Sequence, residues 1–538
     1  VSPRPLDEMI LADLIRLRAA SQPDLDVLTF EHLTIDGGAT PDEVRTYADL
    51  ADNANRIAAG LIALGIEPGD RFAIMLRNHP EFVETMIAAS IIGAVFVPID
   101  PRTRGDKLGY MLGKVGCQGL VTSDASLDEV ARVRDGLPEL DWVLVVDSGE
   151  IGGGAQRLPW VEPFAALLEH QVATVDGRVD SSEAPLQIMY TSGTTGDPKG
   201  IVGSNFRFCG AAFLGHFFGY REGDRPYTGL SLTHGNSQSV TLAPSLSMGL
   251  RAVYSRRFTR SRLWEVCRAY GCTTFSMLGG IATAIYSEPI GPDDADNPVR
   301  MVVSGGMPAA LWEAFEARFG VEILEFYGAM DGGGMAWKPV GEGPVGSFGK
   351  PMAGIEMKIL DPEGNECPPG VIGEICCRPE GGDASIEYHG DPDASTRKIR
   401  QGWNRSGDMG HRDDGGWLFF DFRSGGGIRR NGEFISAGFV EKVIAELPAV
   451  DDVFVYGVPA ASGAPGESDV VAAIVGVEGA ELDPAAVFAA CRASLEPNVV
   501  PSYLQLVDEI PKTVSEKPQE RLLSAAFSPG AANVHTRS

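Results

Sequence analysis

The chain is poor in the features that several function classes require. Its 538 residues include only eight cysteines, Cys117, Cys209, Cys267, Cys272, Cys367, Cys376, Cys377 and Cys491. None forms a Cys-x-x-Cys pair and none joins histidines at zinc-ligand spacing, which excludes a zinc module. Cysteines scattered in this way suit a reducing cytoplasm. Basic charge is scarce as well: 45 Lys and Arg stand against 73 Asp and Glu, for a net charge of −28. That balance argues against a general nucleic-acid binder and against docking on an anionic membrane, while leaving room for a local basic pocket. The longest apolar run, near Ala88–Ile99, is interrupted by Gly93 and Pro98 and is too short to span a bilayer. Pro3, Pro5, Asp7 and Glu8 near the first residue do not read as a signal peptide. No internal repeat or low-complexity tract stands out, and 44% hydrophobic residues suffice for a large core.

What is present reads first as alternating elements. Residues 46–64, TYADLADNANRIAAGLIAL, carry apolar side chains at helical spacing and stop at Gly65. RFAIML (71–76) reads as a strand, EFVETMIAASIIGA (81–94) as a helix and VFVPID (95–100) as a strand. GLVTS (119–123) and WVLVVD (142–147) are further short apolar runs. A second alternation runs from Arg251 to Gly328 through RAVYS, TTFSML, VRMVVSG and VEILEFYG. The two series predict two doubly wound α/β subdomains. Past Gly341, IEMKIL and GVIGEICCRP lie among Asp-Pro, Pro-Pro-Gly and Gly-Gly signals and predict hairpins or a small barrel. A tail with a helix at 438–447, two strands, a second helix and a last strand, YLQLVDEI, predicts a compact α+β domain.

The most informative stretch is YTSGTTGDPKG (190–200), in which hydroxyls alternate with glycines directly after an apolar run. Glycines let backbone N–H groups turn toward an anion, hydroxyls add donors and one lysine adds charge. It is not a Walker loop, because Gly-Lys is never followed by Ser or Thr at the required spacing. With this loop the sequence resembles the adenylate-forming superfamily of acyl-CoA ligases, luciferases and peptide-synthetase adenylation domains, in particular bacterial fatty-acid and carnitine-CoA ligases. Further landmarks follow in the family's order: THGNSQ (233–238), SGGMP (304–308), YGAMD (327–331), RSGDMG (405–410), Arg423 and PKTVSEKPQER (511–521).

The resemblance implies a large N-terminal domain over residues 1–424 and a small mobile lid over 425–538, with a hinge near Gly426. It implies ATP/AMP, Mg²⁺ and coenzyme A as cofactors and a carboxylic acid, or its acyl-adenylate, as substrate. Thr191, Ser192, Gly193, Thr194, Thr195 and Lys199 would hold phosphates, with Thr191 and Asp331 near the metal. Gly305, Gly306, Tyr327, Gly328, Ala329 and Met330 would border the nucleotide, and Asp408 with Arg423 would hold the ribose. Lys517 would catalyse adenylation, while Gly432 would border the pantetheine tunnel and Arg429 and Arg430 would meet CoA phosphates. His234, Gly279, Gly280 and Gly332 would line the acyl pocket. The glycines there suggest a bulky, mostly apolar acid, although they serve backbone turns equally well.

Departures from the family pattern are concentrated on the first half-reaction. Gly426, within the run RSGGGIRRNGEF (423–434), stands where a charged hinge residue is usual. Met330 replaces a threonine, Asp331 a glutamate, Phe434 an asparagine and Phe439 a glutamate; Glu516 and Pro518 flank Lys517 unusually. Three enzymatic alternatives therefore stand beside a complete ligase: CoA transfer alone, with a partner ligase supplying the adenylate; a stand-alone domain that loads a carrier protein; and a luciferase-like oxygenase. A non-catalytic adenylate binder is the fourth alternative. A homodimer, a cytoplasmic location and the absence of any nucleic-acid partner complete the expectations.

Overall fold

The computed structural model describes residues 4–149, 158–169, 174–191, 197–286, 288, 290–307, 309, 311–332, 334–423, 428–431, 433–435, 437–464, 467–480, 482–511 and 520–537. Two large sheets share one core. The first orders Val161–Pro163, Trp142–Val146, Gly119–Ser123, Arg71–Met75, Val95–Pro98, Pro185–Thr191 and Lys199–Ser204. Its strands are parallel except for the last, which returns antiparallel to Pro185–Thr191. The second sheet carries the parallel strands Asp26–Glu31, Ala252–Ser255, Pro226–Thr228, Thr274–Leu278, Met301–Gly305 and Glu322–Gly328. It continues without a break into antiparallel strands Met335–Lys338, Ser347–Pro351, Leu418–Arg423, Trp403–Arg412, Gly373–Pro379 and Ile355–Leu360. This continuation is the hairpin-rich unit that the turn signals predict.

The helices between the sheets form where the sequence directs them. Tyr47–Ala63 begins at a capping box, in which the Thr46 side chain accepts from the Asp49 N–H and Asp49 reaches back to Thr46. Pro80–Ile92 starts with proline at its first turn and ends at Gly93, whose φ of 74° is left-handed. All but one of its residues are buried, because it lies between Phe30 and Tyr254 of one sheet and Phe72 and Phe96 of the other. The one charge in its middle, Glu84, is fully buried and bonds to Arg45 at 2.5 Å and to Asn53 at 2.8 Å.

The C-terminal unit has its own core. A four-stranded sheet orders Val450–Pro459, Ser468–Gly476, Tyr503–Leu506 and Val534–Thr536, covered by Ala437–Ala445 and Pro484–Ser494. Sequence reading ends the sheet at the Tyr503 strand; the structure adds Val534–Thr536, paired antiparallel to it. Three residues are too few to show a period. A short hairpin, Ile428–Arg430 with Glu433–Ile435, opens this unit and turns on Asn431, which takes a left-handed φ of 52°. The connecting positions 424–427 lie outside the described residues. The two units also meet through side chains on both, and those contacts belong to the site.

Candidate active site

The candidate site lies beyond the carboxyl ends of the parallel strands, where open α/β sheets bind ligands. Where the resemblance expects phosphate, Thr191 and Lys199 are direct partners across the Pro185–Thr191/Lys199–Ser204 pair. Ser192, Gly193, Thr194 and Thr195 fall outside the described residues. The Lys199 ammonium sits 5.4 Å above the Tyr388 ring. The Tyr388 segment is fixed to the same strand by a bridge to Ile201 and by the His389 N–H donating to the Gly200 carbonyl at 2.8 Å.

Where the resemblance expects the ribose, the strand Glu322–Gly328 carries Tyr327. Its hydroxyl donates to Asp408 Oδ2 at 2.7 Å, and its ring stacks on Phe348 with centroids 4.6 Å apart. Burial, reinforced by the Asp408 charge, pushes the phenol well above its ordinary range, so it remains a donor. Asp408 and Arg423 are direct cross-strand partners. The two residues expected at the ribose are thus brought together by register alone.

Past Tyr327 and Gly328, the chain turns through Ala329 to Met330, whose carbonyl accepts from the Arg207 guanidinium and whose thioether lies against Gly235, beside His234. Asp331 is 8% exposed and its carboxylate is already engaged: Lys398 Nζ lies 2.5 Å from Oδ2, and the Tyr388 hydroxyl lies 3.4 Å from it. Neither Lys398 nor Tyr388 is marked by any motif in the sequence. Among the described residues no group of three or more His, Cys, Asp and Glu side chains is placed to hold a metal ion. A magnesium ion at Asp331 would have to share that carboxylate with the Lys398 ammonium, and it fits poorly there in this arrangement.

At the expected adenine loop, Gly306 takes φ +94°, and its N–H and that of Met307 donate to the buried Glu325 carboxylate. Burial pushes Glu325 up to about 7 against the pull of those N–H groups. Arg429 of the hairpin approaches Gly306 so closely that a Cβ there would lie 2.8 Å from its Nη2, and it pairs with Glu467 at 3.6 Å. Arg430 instead serves the C-terminal unit itself, donating to the Val500 carbonyl at 2.9 Å. Gly332 (φ +77°) would place a Cβ 2.9 Å from Asn404 Nδ2. Gly306 and Gly332 are therefore demanded by backbone and neighbours, and neither is evidence for a roomy acyl pocket. Gly305 ends the strand Met301–Gly305, and Gly279 and Gly280 open the helix Gly279–Tyr286.

His234 belongs to a network that sequence reading does not find. Its Nε2 lies 3.2 Å from Asp100, just past the strand Val95–Pro98. Arg102 clasps the same carboxylate through two bonds of 2.9 and 2.7 Å. Burial would raise Asp100, but Arg102 and His234 outweigh it and hold the carboxyl far below its usual range. Burial likewise pulls His234 down, and Asp100 more than reverses the shift, so the imidazole titrates above its ordinary value. Glu433 of the hairpin then reaches in, 3.1 Å from Arg102 and 3.9 Å from His234. Asn498 bonds the other Glu433 oxygen at 2.9 Å, and Lys107 pairs with Glu496 at 2.7 Å. The C-terminal unit is thereby docked with its hairpin against His234 and Gly306. Gly426, Gly432 and Lys517 fall outside the described residues. A separate cleft of about 1020 Å³, bounded by Arg18, Phe213, His216 and Met248, contains none of these site residues.

The family model for AMP-binding enzymes matches residues 15–382, and that for the AMP-binding enzyme C-terminal domain matches 440–517. The crotonobetaine/carnitine–CoA ligase of Salmonella typhi is 29% identical over 486 residues, covering 88% of this chain and 91% of that protein. The o-succinylbenzoate CoA synthetase of Bacillus subtilis, bound with a CoA product analogue, superposes with a TM-score of 0.79 at 24% identity, covering 96% of this chain and 98% of that one. The same enzyme in complex with its acyl-adenylate intermediate gives 0.64 at 23% identity over 96% and 98%. A fatty acyl CoA synthetase of Mycobacterium tuberculosis gives 0.64 at 23% identity over 97% and 99%.

Proposed function

The chain belongs to the AMP-binding enzymes, within the adenylate-forming superfamily and its acyl-CoA ligase branch, and we accordingly propose that it joins a carboxylic acid to coenzyme A through an acyl-adenylate. In the first half-reaction a carboxylate oxygen attacks the α-phosphorus of ATP, and pyrophosphate leaves. In the second the CoA thiol attacks the acyl carbon, the carbon–oxygen bond to phosphate breaks, and AMP leaves. Asp408, with Tyr327 and Arg423, holds the ribose; Gly305 and Gly306 border adenine; Lys199 and the loop before it carry phosphate charge. Lys517 serves adenylation, and the hairpin with Gly432 borders the path of CoA.

The observation that carries the second half-reaction is the docked hairpin: Glu433 meets Arg102 and His234 while Arg429 meets Gly306. A better superposition on the product-analogue complex of the B. subtilis enzyme than on its adenylate complex supports the same reading. A narrower reading, transfer of a preformed acyl-adenylate to CoA with adenylation lost, is favoured by Met330 at the phosphate end and by the Asp331 carboxylate already engaged by Lys398. A bulky apolar acid remains the proposed substrate class, supported by Gly279, Gly280 and Gly305. One experiment separates the readings. The protein is mixed with CoA and a synthetic acyl-adenylate of a bulky acid, and in parallel with free acid, Mg-ATP and CoA, and thioester is followed by mass spectrometry. Thioester from both mixtures supports the complete ligase and eliminates the narrower reading. Thioester from the adenylate alone supports the narrower one, and none from either removes both.

A further inference from the structure

Three cationic side chains converge where a metal carboxylate is expected. Lys398 closes the helix Pro392–Lys398, whose start is set by Asp391 accepting from the Ala394 N–H at 2.9 Å and by proline in the first turn. Its ammonium lies 2.5 Å from Asp331 Oδ2 and 3.2 Å from the Ser406 carbonyl, with the Lys398 and Asp331 side chains 16% and 11% exposed. An ammonium has three donors, so these two contacts leave one for a further acceptor. Tyr388 links this pair to the phosphate loop strand: its hydroxyl reaches the same carboxylate oxygen, and its ring carries Lys199 at 5.4 Å. Arg207 approaches from the other side, on the Met330 carbonyl.

We propose that Lys398 is a resident cation of the phosphate end of the site, and that Asp331 is its anchor and not a magnesium ligand. The inference rests on the nucleotide-binding reading above. A carboxylate that is to hold magnesium beside substrate phosphates should be free of a competing cation. Here the carboxylate is bonded by Lys398, Lys199 lies over the ring of Tyr388 whose hydroxyl reaches the same oxygen, and Arg207 holds the adjacent Met330 carbonyl, a local positive charge that suits an anion. A divalent ion at Asp331 would lie beside a largely buried ammonium on the same carboxylate, against like charge. Lys398 meets no such penalty: it is held in place before the nucleotide arrives, and a preorganised charge stabilises phosphate without reorganising.

The test uses the full chain as wild type, D331N, K398M, K398R and the double variant D331N/K398M. Mn²⁺ binding is read by electron paramagnetic resonance, alone and with ATP. Wild type and D331N are expected to bind Mn²⁺ alike within about twofold, whereas K398M gains about tenfold or more and the gain disappears in the double variant. A tenfold loss of Mn²⁺ affinity in D331N, with Lys398 in place, overturns the proposal, and that arm does not depend on K398M folding. AMP binding is measured by calorimetry in EDTA: K398M is expected to lose about tenfold while K398R stays near wild type, and equal affinity of K398M and wild type overturns the proposal. Failure of the nucleotide-binding reading shows separately, as no AMP binding by wild type in any buffer; the Mn²⁺ arm without nucleotide then still decides whether Asp331 is available to a metal.

Discussion

Replacing Glu433 by glutamine should slow transfer to CoA while sparing adenylate formation. Glutamine keeps the size of the side chain and leaves an acceptor for Asn498, so the substitution removes little besides charge. The charge lost faces Arg102 at 3.1 Å and His234 at 3.9 Å, with Arg102 44%, His234 46% and Glu433 32% exposed. Pairs this open to solvent contribute about 0.2–1 kcal/mol each, so the docked hairpin loses about 1 kcal/mol, or roughly fivefold in its population. Single-turnover transfer from a supplied acyl-adenylate should fall by about three- to tenfold, and ATP–pyrophosphate exchange should stay level or rise. Salt provides a second readout. Charge contacts weaken with added salt, so salt should slow the wild type more than the variant, which keeps only the Lys107–Glu496 pair of the docking contacts described. The His234 contribution has a definite sign: against the effect of burial its pKa is raised by Asp100 of its own unit and further by Glu433 of the docked hairpin, so its share in docking is present in acid and is lost as pH rises through the shifted value. An equal fall of exchange and transfer would refute the assignment of Glu433 to the second half-reaction.

Three further outcomes are expected. D408N should weaken AMP binding by about 1.5–3 kcal/mol, or about ten- to 150-fold, as measured by calorimetry, because a buried charged acceptor of the Tyr327 hydroxyl is lost. M330T should raise ATP–pyrophosphate exchange by about tenfold, the effect of one hydrogen bond to a charged group; exchange unchanged from wild type would show that Met330 does not limit adenylation. Glu325, raised to about 7 from 4.5, retains in the folded protein a proton that the unfolded chain has already released. Stability should therefore fall as pH rises from 4.5 to 7, by about 3 kcal/mol at most, and E325Q should flatten that slope in urea unfolding followed at about pH 5 and about pH 8.

The sequence is most legible where side-chain period and chain chemistry agree. The helical spacing over 46–64 with its stop at Gly65 and the apolar strands at 71–76 and 299–305 are local signals, and the structure realises them as Tyr47–Ala63, Arg71–Met75 and Met301–Gly305. The residues proposed for the ribose each lie in a recognisable segment; that Asp408 and Arg423 are cross-strand partners is not legible in the sequence, since register is set by pairing over the whole sheet. Asp100, Arg102, Glu433 and Lys398 escape sequence reading for a related reason. Each is an ordinary charge in its own segment, and its meaning arises only when segments 331 residues apart, as Arg102 and Glu433 are, meet in space. A glycine is ambiguous in the opposite direction: Gly332, expected in the acyl pocket, has a left-handed φ and lies close to Asn404, which by themselves account for a glycine there.

The strand Leu418–Arg423 has a mechanical consequence. Only four residues separate it from the hairpin, and its last residue is paired with Asp408, which in turn carries the Tyr327 hydroxyl. In the proposed reaction the axle on which the C-terminal unit turns is therefore clamped at one end by the nucleotide pocket itself. In that reaction a loaded nucleotide would stiffen the bearing and torque from the turning unit would be felt first at the ribose, so that AMP release and rotation would share a single moving part.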